Sequence, residues 1–499
     1  MNIISIMALN TIVWLASAIV LSLISFLALN RSQKDVVLRR LGLGRGNASR
    51  PSTPMLEKQT LSKPLASSTT DLFATLPPSQ RGQLSKMVET MSASQRQAMG
   101  DLSFDPSRFA RSLLGFEEDY RTADESKYCY SGFSVREIKA LGDFPDYSVL
   151  SEVPMPRPYL EFNIDQAKPR PYRPFRWAYH QTMSLTKLET DWWIELESTY
   201  KTRIAQRKAL YAEHGTSVLH WLPGSELACK ELMEMVLQFV CARYPQYFAL
   251  SADKTTLTNR ILGVESALAE KHPLLILLDH VPEDFGVMLR DPGSGYYHLR
   301  AGLICSALGW NVGTKIGLKL HEIHQPIPDY REKMQFSMDR FFSKMPASRP
   351  IQRGSWGLEV DQPLYMPPGD PHADYRDVQD KTLTRDRINL RVDWQTLRRL
   401  PLSAAVVFNF KALFTPLEEF RDEPYVPSLI KKVLTEGKEN LMKYKNTWHT
   451  EHIVVPALEE YEKEQIEKGL IEKDWEPKTL EDSPWFPGWQ EKWHKQQGF

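Results

Sequence analysis

A chain of 499 residues with 62 acidic and 62 basic side chains has room for two or three domains and carries no net charge. The balanced charge excludes proteins that bind nucleic acid through an overall positive field, so we expect no nucleic-acid partner. No C-x-x-C pair occurs, which argues against a zinc ribbon or a thioredoxin-like centre and predicts reduced thiols at Cys129, Cys229, Cys241 and Cys305.

The N-terminal segment has the composition of a membrane anchor. Residues 1–30 carry no charged side chain, and as a helix they would be about 40 Å long, enough to cross a bilayer. A cleaved secretory signal is the alternative, but no Lys or Arg precedes the apolar run. Basic residues follow in 31–50, which predicts a lumenal N-terminus and a cytosolic body. We expect a single-pass protein of the endoplasmic reticulum, held in the lipid bilayer by residues 3–29.

Composition divides the rest of the chain into four segments. Residues 31–80 form a basic juxtamembrane segment followed by a linker, because half of 51–80 is Ser, Thr or Pro. Residues 81–171 form an arm with short helices, one at about 83–99 and one after the capping box at Ser134. Residues 172–445 are the main domain. Residues 446–499 combine a charged helix with a tryptophan-rich tail, which we expect to wrap against the body.

Helices come first in the rest of the chain, then a hairpin and then more strands, without the repeated strand–helix alternation of a doubly wound sheet. The pattern predicts an α+β fold with an antiparallel sheet and flanking helices, preceded by the transmembrane helix. The predicted elements, in chain order, are a helix through 193–211, a helix after Ser225, a strand at 274–278, a hairpin of 285–289 and 296–305, a helix from Asp329, strands at 388–397 and 406–410, and a helix at 426–444.

Histidine supplies the first candidate for chemistry. His321 and His324 are three residues apart, and Pro326 and Pro328 force the chain out of the helix directly after His324. A histidine at such a boundary can project into a pocket, where one imidazole is enough to bind haem iron. The pair could also hold zinc if a third ligand joined, or simply form hydrogen bonds at the surface. No P-loop, G-x-S-x-G, H-E-x-x-H or C-x-x-C-H motif is present.

The strand at 388–397 supplies the second candidate. Strict alternation places Arg391, Asp393 and Gln395 on one face, with neighbouring side chains about 7 Å apart. An arginine, an acid and an amide on one face suit a carboxylate- or propionate-binding site, or a proton relay. The alternative is a solvated sheet face that carries an ion pair.

Seven short motifs occur in the order typical of one family. The stretch from about Tyr172 to Tyr444 resembles the haem-binding subunit of haem-dependent oxidative N-demethylase, a family whose fungal members are called HRQ-family proteins. The motifs are Pro174-Phe175-Arg176-Trp177, Leu222-Pro223-Gly224-Ser225, His298-Leu299-Arg300-Ala301-Gly302, Ile323-His324-Gln325-Pro326-Ile327-Pro328, Arg340-Phe341-Phe342, Arg353-Gly354-Ser355-Trp356 and Gln395-Thr396-Leu397-Arg398-Arg399-Leu400-Pro401.

The resemblance implies a PAS-like sheet that holds non-covalent haem b and oxidises a small methylamine to the demethylated amine and formaldehyde. It places the axial haem ligand on His324, with His298 in reserve. Arg391 is expected to pair with a propionate or an anionic substrate group, while Asp393 and Gln395 are the expected catalytic polar groups. O2 is the implied co-substrate, and the electrons are expected from a membrane-associated flavin or iron–sulfur reductase.

Two other functions remain open from the sequence. One is a haem or ligand sensor without turnover, because PAS-like folds more often sense than catalyse and a fold does not determine a function. The other is a membrane-tethered scaffold with an inactive site, which would bind partners through its tryptophan-rich tail.

Overall fold

An antiparallel sheet of seven strands organises the body. The computed structural model describes residues 75–101, 103–177, 182–367 and 369–498, all within one compact unit, Ser68–Phe499. The strand order is β1-β8-β9-β10-β6-β7-β2, and a separate three-stranded sheet has the order β3-β4-β5. The strands are β1 (Thr186–Lys187), β2 (Leu219–Trp221), β3 (Phe248–Leu250), β4 (Thr256–Asn259), β5 (Val264–Ala267), β6 (Asp284–Arg290), β7 (Tyr297–Leu303), β8 (Ile351–Val360), β9 (Ile388–Arg399) and β10 (Val406–Pro416).

Helices flank the sheet, which confirms the α+β prediction. The α-helices of the described residues are α1 (Leu84–Thr90), α2 (Ala93–Met99), α3 (Pro106–Arg111), α4 (Val135–Leu141), α5 (Tyr147–Ser151), α6 (Tyr200–His214), α7 (Glu226–Arg243), α8 (Pro273–His280), α9 (Val312–Lys315), α10 (Leu320–Ile323), α11 (Tyr330–Lys333), α12 (Gln335–Lys344), α13 (Val426–Glu436), α14 (Glu439–Lys445), α15 (Trp448–Glu467) and α16 (Trp489–Gln496).

The longest predicted strand is present and is extended by two residues. β9 pairs with β8 on one side and β10 on the other, so it occupies the middle of the sheet. On its polar face Asn389 and Arg391 are buried, whereas Asp393 and Gln395 are partly exposed. The alternative of a solvated face is therefore wrong at Arg391 and holds in part at Asp393, which forms the ion pair that this alternative included. The predicted hairpin is also confirmed, because β6 pairs directly with β7.

Five predicted elements differ from the structure. The helix predicted through 193–211 begins only at Tyr200, and the helix predicted at about 83–99 is two helices, α1 and α2. The segment 274–278 is part of α8 rather than a strand, because Pro273 fits the first turn and His272 accepts a hydrogen bond from the Leu274 amide as the N-cap. Asp329 adopts a left-handed conformation without a side-chain cap, and the helix predicted after it is two helices, α11 and α12, divided at Met334. The helix predicted over 426–444 breaks at Gly437, whose extended backbone separates α13 from α14.

The arm and the tail share one hydrophobic core with the main domain. This core includes buried residues from Leu84 to Phe486. The guanidinium of Arg170 lies over the rings of Trp192 and Trp485, at 4.2 and 5.2 Å, and Trp493 Nε1 donates to the Lys168 carbonyl at 2.8 Å. The expected wrapping of the tryptophan-rich tail against the body is confirmed.

The predicted membrane anchor, residues 1–30, lies outside the described residues. Within the described part of the chain, no helix combines the length and apolar character needed to cross a membrane.

All four cysteines are free, and Cys129, Cys229 and Cys305 are buried. Burial raises the pKa of each of these three thiols to about 12, so they stay protonated at neutral pH, which agrees with the predicted reduced thiols.

Candidate functional site

A cavity of about 640 Å³ lies against one face of the seven-stranded sheet. Its sheet side is lined by Gly286, Met288, Leu299, Phe408 and Phe410. Phe408 faces Gly286 across the β10–β6 pair, and alternation along β10 places Phe410 on the same face. The strands therefore provide a flat apolar wall, and α9, α10 and the following loop form the opposite side.

His324 projects into this cavity. It ends α10 as the C-cap residue, and the two prolines that follow divert the chain, as the sequence predicted. Its Nδ1 lies 2.7 Å from the Leu320 carbonyl, which can only accept, so Nδ1 carries the proton. The ring stacks on Tyr330 with a centroid distance of 5.2 Å. These contacts fix the orientation of the ring and leave Nε2 as the basic nitrogen.

Burial keeps the imidazole neutral. Desolvation lowers the pKa of His324 to about 4, and positive charge on Arg353 and Lys315 acts in the same direction. The ring is half-buried by surface area because one side faces the cavity. At neutral pH, Nε2 therefore carries a lone pair, which is the form of histidine that ligates a metal.

Four cationic side chains line the same cavity. They are Arg176, Lys315, Arg353 and Lys445, and no Asp or Glu is among the described residues that line it. Residues 178–181, which fall between two lining residues and are not described, contain no Asp or Glu in the sequence. The described lining is therefore uniformly positive or neutral, which favours anionic groups.

Lys445 is held in place by hydrogen bonds and a ring contact. Its ammonium donates to Ser355 Oγ at 3.0 Å and to the Trp356 carbonyl at 2.9 Å, and it lies 5.2 Å from the centroid of the Trp356 ring. All three partners are neutral. Burial lowers its pKa to about 7, repulsion from Arg353 contributes further, and the smaller attraction of Asp393 opposes both.

The structure divides the predicted polar face of β9 into two parts. Gln395 lines the cavity, opposite Arg353 on β8 and Phe410 on β10. Asp393 and Arg391 are not among the described lining residues. Arg391 is 3% exposed and donates to Asp393 at 2.9 Å, to the Pro363 carbonyl at 2.7 Å and to the Ser306 carbonyl. Its donors are thus occupied, and the expectation that it pairs with a propionate does not agree with this geometry.

The two other histidines singled out from the sequence, His298 and His321, do not line the cavity. His298 Nδ1 lies 2.9 Å from the Gly317 carbonyl, and the ring packs against Phe116 rather than lining the cavity. His321 contacts Tyr296 and lines a separate surface depression. The described residues contain no group of three or more His, Cys, Asp or Glu side chains placed to hold a metal, so the zinc alternative has no third ligand there.

The residues present fit haem b. Haem is a flat apolar macrocycle with two propionates at one edge and an iron that accepts an imidazole. The cavity offers the matching apolar wall, the basic Nε2 of His324 and cationic side chains, with no Asp or Glu among the described lining residues. Its volume lies within the range of about 300–1,000 Å³ usual for small-molecule and cofactor sites.

Sequence patterns missed the cationic lining. Arg176 and Arg353 both lie in the motifs that carried the family resemblance, Pro174-Phe175-Arg176-Trp177 and Arg353-Gly354-Ser355-Trp356, and that membership was an available signal. Lys315 and Lys445 lie in short helices with no motif, and only the folded arrangement brings them to the cavity.

Comparison with known protein families agrees with this geometry. The model of the family described as haem-dependent oxidative N-demethylase, alpha subunit-like, matches residues 184–455, more than half of the chain. The match includes His324, Arg353, Gln395 and Lys445. This chain therefore belongs to the haem-dependent oxidative N-demethylase alpha-subunit-like family and is an oxidoreductase-type enzyme of that kind.

Proposed function

We propose that this protein binds haem b through His324 and oxidatively removes a methyl group from an N-methylated amine. The observation that carries the proposal is the neutral, oriented imidazole of His324 facing a cavity with an apolar wall and cationic groups. The balanced reaction converts the N-methylamine, O2, two electrons and two protons into the demethylated amine, formaldehyde and water. Bound haem supplies the redox chemistry that lets one oxygen atom enter the methyl C–H bond.

The chain's own residues hold and orient the reactants. The Leu320 carbonyl and the Tyr330 ring keep the His324 ring in one tautomer and one plane, which increases its basicity toward a metal. The apolar sheet residues exclude water from the reacting centre. Gln395 is the polar group of β9 that reaches the cavity, and we assign it the contact with the substrate amine.

The remaining polar groups support the walls. Asp393 and Arg391 form an ion pair beside Ser355, which faces Asp393 across the β8–β9 pair. We assign this pair a positioning role for the β8–β9 wall. The cations of the lining, rather than Arg391, take over the predicted role of holding the propionates.

The proposal keeps two further expectations from the sequence. The sheet is PAS-like, a description supported by five antiparallel strands in the order β8-β9-β10-β6-β7 with the ligand cavity against one face.

Residues 3–29 anchor the chain in the endoplasmic reticulum membrane with the body in the cytosol, where a flavin or iron–sulfur reductase on the same membrane donates electrons. Absence of glycosylation at the sequons of Asn30 and Asn47 tests this topology.

The activity is tested with the haem-loaded protein, NADPH and a surrogate flavin or ferredoxin reductase. The substrate is an N-methylated amine labelled in the methyl carbon. We expect the label to be recovered in formaldehyde, with one formaldehyde formed for each O2 used in demethylation. A haem-loaded, reducible protein that releases no labelled formaldehyde from any N-methylated amine would overturn the proposal and favour the sensor alternative.

A further inference from the structure

A buried arginine lies on the face of the sheet opposite the cavity that His324 faces. Gln395 lines that cavity, and alternation along β9 places Arg398, three residues further on, on the other face. Arg398 pairs with Val407 of β10, which belongs to the main hydrophobic core. Only 7% of Arg398 is exposed, and its Cζ lies 4.0 Å from the centroid of the Trp193 ring. The sheet therefore separates this arginine from the proposed haem site.

The guanidinium of Arg398 has no counter-ion among the described residues. Its Nε is buried without a hydrogen-bond partner, and desolvation alone lowers its pKa, to about 9, with no contribution from an Asp or Glu. It remains protonated at neutral pH. A buried charge without a partner costs several kcal/mol, and proteins usually offset that cost by placing an opposite charge beside it.

A second donor without a partner lines the same pocket. The Nε1 of Trp193 is buried and has no hydrogen-bond acceptor among the described residues. Trp193 and Arg398 both line a small cavity, named the Arg398 pocket, whose described lining contains no Asp or Glu. An indole N–H and a guanidinium can only donate, so an occupant that satisfies both must accept hydrogen bonds. The positive charge of Arg398 favours an anion over a neutral acceptor.

The size and lining of the Arg398 pocket limit the occupant. Its volume is about 30 Å³. Organic ligands occupy sites of about 300–1,000 Å³, whereas one water needs about 10–15 Å³, so the pocket suits a single small ion. The wall around the two donors is mostly apolar and includes Val153, Pro154, Met155, Pro156, Leu188, Met235, Phe239 and Pro350. Such a wall favours a weakly hydrated anion, because removing water from a strongly hydrated one costs more free energy.

We propose that Arg398 and Trp193 bind one halide ion, chloride in the cell, in the Arg398 pocket. One monovalent anion balances the one buried cation and accepts hydrogen bonds from the guanidinium and the indole. The pocket is built by residues 153–156 of the N-terminal arm, by α7 and by β9. Bound chloride therefore stabilises the junction between the arm and the main domain. This inference is independent of the proposed function, because the pocket lies across the sheet from the haem site.

Urea unfolding of the full-length chain in fluoride and in chloride tests the site. Fluoride is the strongly hydrated halide of the same charge, and total salt is held at about 150 mM so that screening is equal. For a Kd of about 15 mM, replacing fluoride by chloride should raise the folded-to-unfolded ratio about tenfold, the factor 1 + [L]/Kd for a ligand of the folded state. The response should saturate as chloride increases, unlike a general salt effect.

Three variants assign the response to the pocket. Arg398→Met removes the cation and should abolish the saturable response to chloride. Arg349→Met is the matched control and should keep it, because Arg349 is exposed and does not line the pocket, although its neighbour Pro350 does. Trp193→Phe keeps an aromatic ring but removes the indole donor, so it should reduce the response. The inference is overturned if Arg398→Met, or Trp193→Phe where Arg398→Met does not fold, responds to chloride as strongly as the wild type.

A direct measurement locates the ion without any variant. Anomalous scattering from crystals of the wild-type protein grown in bromide should place one bromide within hydrogen-bond distance of Arg398 and Trp193. Bromide found only at exposed sites would overturn the inference. Neither readout depends on haem, so failure of the proposed function would leave this result standing, and failure here would leave the proposed function standing.

Discussion

Gly354 is a position where one added methyl group should disturb the wall of the cavity. An ideal Cβ at Gly354 would lie 2.7 Å from Tyr172 Cε1 and 3.0 and 3.1 Å from Pro174 Cβ and Cγ. Tyr172 is buried and its ring meets Trp485 edge-on at 5.6 Å, so it has little room to withdraw. Overpacking of this kind costs about 1–3 kcal/mol of unfolding free energy.

Gly357 provides the matched control on the same strand. A Cβ there would meet Glu359 Oε1 at 3.6 Å and the Lys445 carbonyl at 3.9 Å, which are ordinary contacts. We expect Gly354→Ala to lower the free energy of unfolding by about 1–3 kcal/mol and Gly357→Ala to change it by less than about 0.5 kcal/mol. Urea titration followed by tryptophan fluorescence measures both values at constant slope.

The steric clash in Gly354→Ala should also change the shape of the cavity. Pro174 and Gly354 both line the cavity, so displacement of the arm residues narrows the space for haem. Gly354→Ala should therefore also weaken haem retention, while Gly357→Ala should not. Equal stability of the two variants would refute the packing argument, because it would mean that Tyr172 and Pro174 move away at no cost.

Two further predictions concern buried polar groups. Glu231 is buried, and desolvation raises its pKa from the ordinary value of 4.5 to about 7, so its contribution to stability is fully present below pH 4.5 and is lost as pH rises through about 7. Between pH 5 and pH 7.5, the free energy of unfolding of the wild type should therefore fall by on the order of 2 kcal/mol relative to that of Glu231→Gln, as measured by urea titration. Parallel pH profiles of the two proteins would contradict the raised pKa of Glu231. Arg399 is buried and donates to the carbonyls of Phe342, Met345 and Ala404. Arg399→Met should lower the free energy of unfolding by more than about 3 kcal/mol, because three buried acceptors lose their donors, whereas Arg340→Met at an exposed site should have almost no effect. Similar unfolding midpoints for Arg399→Met and Arg340→Met would contradict the role of Arg399 as the donor to these carbonyls.

The sequence was most informative where a local pattern and the fold agree. Alternation identified β9 and oriented its side chains, and the prolines after His324 correctly ended α10 at that residue. The same alternation could not show that only one residue of the predicted polar face, Gln395, lines the cavity. Gln395 reaches it, whereas Arg391, on the same face, is held by the carbonyls of Ser306 and Pro363 from distant loops.

Short apolar runs and isolated cations were beyond what local patterns can resolve. The run 274–278 fits a buried strand as well as a buried helix. It is helical because His272 caps the N-terminus of α8 and Pro273 fits its first turn. Lys445 ends a seven-residue helix far along the chain from β8, and its approach to Ser355 is a tertiary contact with no local signal. The cationic lining therefore became visible only in the folded chain.

The most direct test of the central claim is the absorption spectrum of the haem-reconstituted protein, recorded oxidised, reduced and with carbon monoxide. His324→Ala is compared with His321→Ala, which removes an imidazole three residues away that lines the surface depression instead of the cavity. We expect a Soret band that shifts on reduction in the wild type and in His321→Ala and that is lost or changes ligation in His324→Ala. An unchanged spectrum in His324→Ala, or no haem in the folded wild type, would contradict the assignment of His324 as the haem ligand.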